Sequence, residues 1–440
     1  MKKGENFSQM NKNDQFNFSW MIVVLGFITL ALSYGTWYSS SVFFVALLKE
    51  FGWSRSVAAG AFSLFMILHH LIGPVVGRMV DRFGPKRVML LGCFMSCLGL
   101  FLSSLIQTSW QYYISFGCLT ATGIAGTGWV TNTTIIHYWF KEKRGLPIGI
   151  ISSGIGVGIW VCIPATQYLI DQIGWRMTYR ILAGVVPGVM ALMAILLLRK
   201  PPPLVPYKPI QKDVIPPRAR DPEAHDQTWS PRPWTIRQAM ATGQFWLLFL
   251  AFFLGNLTSQ TILTHQVAFF VDRGIGALSA SYIAGLVGAT SVVAKILLGT
   301  LSDRAGTETT YTLAVSFGVS GILTLIVFNY LSVQILSYLY VLLFAVGYAG
   351  TAALPPVITG NFFGGTTYGR VFGTLMIANG LGGGLGTWGA GYIHDQTKNY
   401  VPAFLLVIGC FILSAYLIWR AGPHKIKGTE KKRLELISAE

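Results

Sequence analysis

The stretch Gly77-Arg78-Met79-Val80-Asp81-Arg82-Phe83-Gly84 returns 222 residues later as Gly299-Thr300-Leu301-Ser302-Asp303-Arg304-Ala305-Gly306. Each copy stands where one long apolar run ends and the next begins. Two further matches share the spacing. Tyr168-Leu169-Ile170-Asp171-Gln172 returns as Tyr392-Ile393-His394-Asp395-Gln396, 224 residues on, and Glu50 with Gly52 returns as Asp272 with Gly274, again at 222. Three matches at nearly one offset imply a duplicated chain. Duplicated halves around a common centre are the logic of a rocking membrane carrier.

The rest of the chain fits a membrane. Of its 440 residues 52% are hydrophobic and only 11% charged, where a soluble domain carries about 25% charged residues; the mean hydropathy is +0.54. Twelve apolar runs, near the roughly 20 residues that cross about 30 Å of hydrocarbon, fall at 20–47, 56–80, 88–106, 111–140, 146–170, 177–198, 245–270, 280–301, 311–330, 335–363, 371–393 and 401–419. The predicted fold is therefore an all-α membrane protein with twelve transmembrane helices in two pseudo-symmetric six-helix bundles. A polar N-terminal tail (1–19) without a signal-peptide pattern precedes a first bundle at 20–198. A basic, proline-rich linker (199–242) leads to a second bundle at 243–421 and a C-terminal tail at 422–440.

Charge sets the orientation. With both termini in the cytoplasm, 26 Lys and Arg residues lie inside and six outside, as the positive-inside tendency requires. The formal charge of +16 is thus a topological signal, and no nucleic-acid partner is expected. The expected location is the cell (inner) membrane, multi-pass, with the lipid bilayer as the partner. Cys93, Cys97, Cys118, Cys162 and Cys410 all lie in apolar runs, with neither metal spacing nor a disulfide framework. No cofactor or metal is expected. A nucleophile–base pair is also lacking, so the chain is not read as an enzyme.

At this point a resemblance enters. Gly73 to Arg87, with Gly77, Asp81, Arg82 and Gly84, resembles the loop motif between the second and third helices of the major facilitator superfamily. The physics fits, because glycines permit close helix contact and Asp81 can pair with a cation or a helix N-terminus. Within that superfamily the chain resembles the monocarboxylate transporter family and its bacterial oxalate–formate antiporter relatives. Three stretches carry this: Tyr138-Trp139-Phe140-Lys141-Glu142-Lys143-Arg144-Gly145-Leu146 with Gly149, Ser153, Gly154 and Gly158 behind it, Val42-Phe43-Phe44 followed by Glu50-Phe51-Gly52-Trp53-Ser54-Arg55, and Gln244-Phe245-Trp246-Leu247-Leu248. The resemblance implies a mostly monomeric carrier. It also implies a latch at Gly77, Asp81, Arg82, Asp303 and Arg304 that stabilises the outward-facing state. Arg144 and Arg370, at matching helix entrances, are read as gating or topological residues.

All 17 acidic residues fall in loops, tails or helix ends, so the membrane carboxylate expected of a cation carrier is absent. Lys295 is the one intramembrane cation. It lies eight residues before Asp303, about 12 Å deeper along a helix, at a cost of roughly 2.5–3.5 kcal/mol on insertion scales. An anionic substrate would offset that cost; a lysine snorkelling to the interface is the alternative. The resemblance places a carboxylate-binding arginine here, and lysine replaces its planar fork with a point charge. The animal members' coupling aspartate falls on Ser291 and their first-helix lysine on Tyr38, so their proton relay does not carry over.

His265, His69 and His70 are proton-coupling candidates; His265 could equally hydrogen-bond a carboxylate. Tyr34 and Tyr38, four apart on one helix face, join Asn132, Asn256, Gln260, Tyr348 and Asn379 as further substrate-binding candidates. The expected function is secondary transport of a small organic anion, a monocarboxylate such as lactate or pyruvate, with a proton as candidate co-substrate. The alternatives are an oxalate/formate-type exchanger and, behind it, a carboxylate sensor without flux.

Overall fold

The computed structural model describes residues 12–140, 145–198, 235–363 and 368–422. Arg144, most of the linker, residues 1–11 of the N-terminal tail and residues 423–440 of the C-terminal tail lie outside the described residues, and the first helix reaches back into the expected tail, to Lys12. Among the described residues every regular element is a helix, and the helices make twelve crossings.

The first crossing is Lys12–Tyr38 continued as Ser40–Phe51, the second Arg55–Phe83 and the third Pro85–Ser103. The fourth is assembled from Ser109–Tyr112, a wider π-helical stretch Tyr113–Thr120, then Ala121–Thr127 and Trp129–Trp139. The fifth and sixth form one run, Gly145–Leu197, broken only at Gly174. A short helix, Ile236–Met240, leads into the seventh (Gly243–Asp272), eighth (Ala277–Ala305), ninth (Thr307–Leu331), tenth (Ile335–Phe363), eleventh (Tyr368–Thr397) and twelfth (Val401–Ala421). Nine stretches among the described residues are long and apolar enough to span on those grounds alone, one of them the joined fifth and sixth. The fourth falls short because it is broken, and the eleventh, with its run of glycines, is not among them either. The spacer expected at 171–176 is also absent: one residue turns the chain.

Backbone conformation repeats with the sequence. Positive φ occurs at Gly52 (63°) and Gly274 (83°), at Gly84 (82°) and Gly306 (84°), and at Gly174 (76°) and Lys398 (56°). The separations are 222, 222 and 224 residues. The final glycine of each copy of the opening motif thus makes the turn between two crossings. Lys398 is the exception, since a side chain in this region costs roughly 1–2 kcal/mol. Lys398→Gly is expected to raise the apparent melting temperature in detergent, whereas Gly174→Lys lowers it; an unchanged or lowered midpoint for Lys398→Gly would contradict the strain argument.

Packing repeats too. A Cβ added at Gly158 would collide with the backbone oxygen of Ala31, and one at Gly382 with that of Phe253. The first crossing therefore meets the fifth as the seventh meets the eleventh, backbone against backbone, as small residues allow in lipid. The halves meet through a second symmetric pair. Gly380 lies against His70 and Gly156 against Val292, so the second crossing packs on the eleventh as the eighth packs on the fifth. These seams sit near mid-depth. Lys86 Nζ on the Ile195 carbonyl (3.1 Å) and Trp419 Nε1 on Thr312 Oγ1 (2.7 Å) mark one face of the bundle. With an even number of crossings both chain ends belong to it, and we call it the terminal face.

Candidate functional site

Four candidate residues from four crossings meet between the halves. Lys295, on the eighth crossing, holds its ammonium 5.2 Å from the centroid of the Tyr348 ring on the tenth, within cation–π range. The Tyr348 hydroxyl is 3.3 Å from that of Tyr38 on the first crossing. Gln260 Nε2, on the seventh, donates to Tyr38 Oη at 3.1 Å. Tyr38 belongs to one half and the other three to the second, so the cluster bridges the seam. Lys295 forms no ion pair: among the described residues the two ion pairs are Arg55–Asp272 and Arg176–Glu50, both at helix ends. Gln260 Oε1 is buried with no hydrogen-bond partner. A cation without an anion and an amide oxygen without a donor leave this cluster short of partners, which buried polar groups rarely are.

An aromatic wall backs it. The Trp37 ring stacks on Tyr38 at 5.4 Å and on Tyr34 at 5.2 Å, and packs against His69 at 4.8 Å. His69 is 9% exposed and its Nδ1 has no partner. The His70 ring meets that of His69 edge-on at 5.2 Å, with its Nδ1 2.9 Å from the Met66 carbonyl. Asn256 and Asn379 instead tie the seventh crossing to the eleventh within the second half: Asn256 Nδ2 donates to the Asn379 carbonyl at 2.6 Å. Asn132 donates to the carbonyls of Thr127 and Gly128, satisfying the backbone where the fourth crossing breaks.

His265 does not join the cluster. It lies five residues beyond Gln260, about 7.5 Å along the helix and roughly 140° around it. It is fully buried in an interlock at the face opposite the chain ends. Its Nε2 is 2.8 Å from the Thr387 carbonyl and its Nδ1 3.0 Å from Tyr400 Oη. Tyr400 Oη accepts from Arg55 Nη1, and Arg55 Nη2 reaches Asp272 at 2.7 Å. The backbone N–H groups of Arg55 and Ser56 donate to the two carboxylate oxygens of Asp395, each at 2.8 Å. A carboxylate from one half thus caps the first turn of a helix in the other, where the orphan amides and the helix dipole favour an anion. Arg55, Asp395 and Tyr400 were not among the sequence candidates. Their available signal was slight: Asp395 and Asp272 stand in the repeats, and Arg55 is a cation on the face poor in cations.

The interlock is one-sided. Asp171, the repeat partner of Asp395, is bonded within its own helix by Gln167 at 2.8 Å. Glu50, the repeat partner of Asp272, takes Trp175 and Arg176 of its own half. At the terminal face Asp81 and Asp303 form no ion pair among the described residues, and space is open around Gly149, Gly299, Gly369 and Gly373. Among the described residues the halves are thus fastened at one face and not at the other, with Arg82, Arg304 and Arg370 on the latter side.

Comparison with known proteins agrees with this architecture. A family model described as Major Facilitator Superfamily matches residues 26–387. The chain is 25% identical over 415 residues to monocarboxylate transporter 13 of Rattus norvegicus, covering 92% of this chain and 89% of that protein. It is 26% identical over 399 residues to monocarboxylate transporter 3 of the same organism, covering 88% and 76%. Among solved structures, the nucleoside transporter NupG shares the fold at a TM-score of 0.67, with 13% identity and coverage of 92% of this chain and 99% of that one. A bacterial homologue of the human lysosomal transporter Spinster, in an inward-facing and occupied conformation, matches at 0.66, with 14% identity and coverage of 90% and 96%.

Proposed function

The chain belongs to the Major Facilitator Superfamily and is a multi-pass membrane transporter related to monocarboxylate transporters, and from that premise we propose that it carries a small organic monoanion by alternating access. The observation that carries this reading is Lys295: a mid-membrane cation without a carboxylate, held over Tyr348 beside the hydroxyls of Tyr38 and Tyr348 and the free amide oxygen of Gln260. An incoming carboxylate would take the ammonium as its counter-ion and the phenolic hydroxyls as donors, while Gln260 Oε1 would accept from a hydroxyl on the substrate. Because Tyr38 and Lys295 belong to different halves, the anion would be held across the seam on which the halves rock. The terminal face is the cytoplasmic one, from the 26-to-6 distribution of basic residues. On this reading the face where the described residues leave the halves unfastened opens inward, and Asp81 and Asp303, with Arg82 and Arg304, would close that side in the outward-facing state.

A second reading is exchange of one anion for another. It is favoured by the placement of every acidic residue outside the helix midpoints, which leaves no membrane carboxylate to carry a proton. The deciding experiment is uptake of labelled lactate, pyruvate, formate and oxalate into proteoliposomes, with an inward proton gradient or with a trapped internal anion. Gradient-driven uptake of a monoanion is expected. Uptake only against a trapped anion would replace symport by exchange. Binding without movement of label would mean a sensor and overturn transport altogether.

A further inference from the structure

We infer that the interlock at the face opposite the chain ends contains a proton-binding site, His265, whose occupation releases the two halves without any help from substrate. The hydrogen-bond directions leave little freedom. The Thr387 carbonyl can only accept, so His265 Nε2 carries the ring proton across 2.8 Å. Nδ1 is then bare and accepts the Tyr400 hydroxyl proton across 3.0 Å. With its proton committed, Tyr400 Oη is an acceptor toward Arg55, and Arg55 completes the chain on Asp272. A neutral ring in one tautomer is the form that satisfies every partner.

A proton delivered to Nδ1 turns that atom into a donor. The Tyr400 hydroxyl proton then loses its acceptor inside a pocket where His265 is 0% and Tyr400 2% exposed, and a buried donor without a partner is costly. It also adds positive charge behind the Arg55 guanidinium. The charged and titratable groups facing the ring are Arg55 and Tyr400, His394 and Asp395, with Asp272 beyond Arg55; Phe44 meets the ring edge-on at 5.2 Å. Arg55 is the nearer cation and is shared across the seam. When the halves part, Arg55 leaves with the first half while Thr387 and Tyr400 stay beside the ring, and water on the vacated side can accept the Tyr400 hydroxyl proton, so the protonated ring no longer costs a hydrogen bond. Acidity on that face therefore favours opening toward it. Linkage sets the size: a proton bound in one state alone shifts an equilibrium by at most about tenfold per pH unit.

Imidazole titrates near 6.5, above carboxylic acids as a class, and His394, the second imidazole beside Tyr400 with ring centroids 4.5 Å apart, is told apart from His265 by substituting His265. The test is hydrogen–deuterium exchange of the full chain in lipid nanodiscs, with no anion present, from pH 7.5 to 4 and corrected for intrinsic exchange rates. The reporters are the amides of Arg55 and Ser56, which Asp395 holds in the closed form. In the wild type, protection is expected to fall about tenfold per pH unit through the imidazole range. His265→Gln should stay flat until the carboxylate range. Tyr400→Phe should show low protection throughout and a smaller step. An identical step in His265→Gln, or no step in the wild type, overturns the proposal. If His265→Gln does not fold, a step of unchanged size in Tyr400→Phe overturns it alone. No anion enters the measurement, so failure of the Lys295 reading would leave this result standing, and the reverse.

Discussion

Lys295→Ala protein is expected to be more stable than the wild type and unable to carry its anion. The two halves of that result have one origin. Lys295 has no carboxylate partner among the described residues, so the apo protein bears the cost of holding a charge in the membrane, roughly 2.5–3.5 kcal/mol on insertion scales. Alanine removes that cost, and the apparent melting temperature should rise. The same change takes away the intramembrane counter-ion for substrate. Truncating one partner of a buried charge pair costs about 2–5 kcal/mol, and even about 3 kcal/mol is roughly a hundredfold in Kd. Uptake of whichever labelled anion the wild type carries should fall to the level of empty liposomes. Lys295→Arg keeps the charge but moves it onto a longer, planar group and should retain a fraction of the flux. Tyr348→Phe, which loses one hydroxyl and keeps the ring under the ammonium, should cost about tenfold, one hydrogen bond to a charged group. Unchanged flux in Lys295→Ala would remove the residue from the substrate site whatever happened to stability.

The second large effect belongs to Asp395. Its carboxylate receives two backbone N–H groups from the opposite half at 2.8 Å each, and hydrogen bonds to charged groups contribute about 1.5–3 kcal/mol. Asp395→Ala leaves both amides at the start of the second crossing without a partner in the closed form only, since water can satisfy them once the halves part. The conformational equilibrium should move by about 3 kcal/mol, more than a hundredfold, toward opening at that face. Spin labels on cysteines at Gln172 and Gln334, exposed positions of the two halves on that face, should report a longer distance in Asp395→Ala. Asp171→Ala is the internal control. It stands at the matching repeat position but bonds only Gln167, so its distance distribution should match the wild type. Equal distributions in all three proteins would mean that the trans cap does not hold the closed state.

The repeat in the sequence was enough to derive the architecture, because the residues that carry it are backbone turns and close helix contacts. Gly84 and Gly306 adopt nearly the same φ, and Gly158 and Gly382 press on backbones at matching positions. The Lys295, Tyr38, Tyr348 and Gln260 group was legible for a related reason. A charge in an apolar run is conspicuous, and its neighbours are polar side chains at similar depth. The interlock was not legible. Arg55 sits just past a loop, where arginines are ordinary, and only the tertiary arrangement brings the ends of the seventh and eleventh crossings and the start of the twelfth onto it. His265 shows how depth alone misleads: it lies about one and a half turns from Gln260 and faces another set of partners. The irregular fourth crossing was equally hidden, since its π-helical stretch (Tyr113–Thr120) contains no proline or charge to mark it.

Lys295 has a further consequence, which is electrical. On the reading that it binds a monoanion, the loaded centre is neutral and the empty centre carries one positive charge. A membrane potential exerts about 2.3 kcal/mol per elementary charge per 100 mV across the full field, so voltage presses on the return of the empty carrier, and on the loaded step only through a proton that crosses with the anion. An interior-negative potential would hold the unloaded lysine toward the cytoplasm, which on the proposed orientation is the side where the described residues leave the halves unfastened. The lone cation would then set the resting state of the carrier as well as the sign of its cargo.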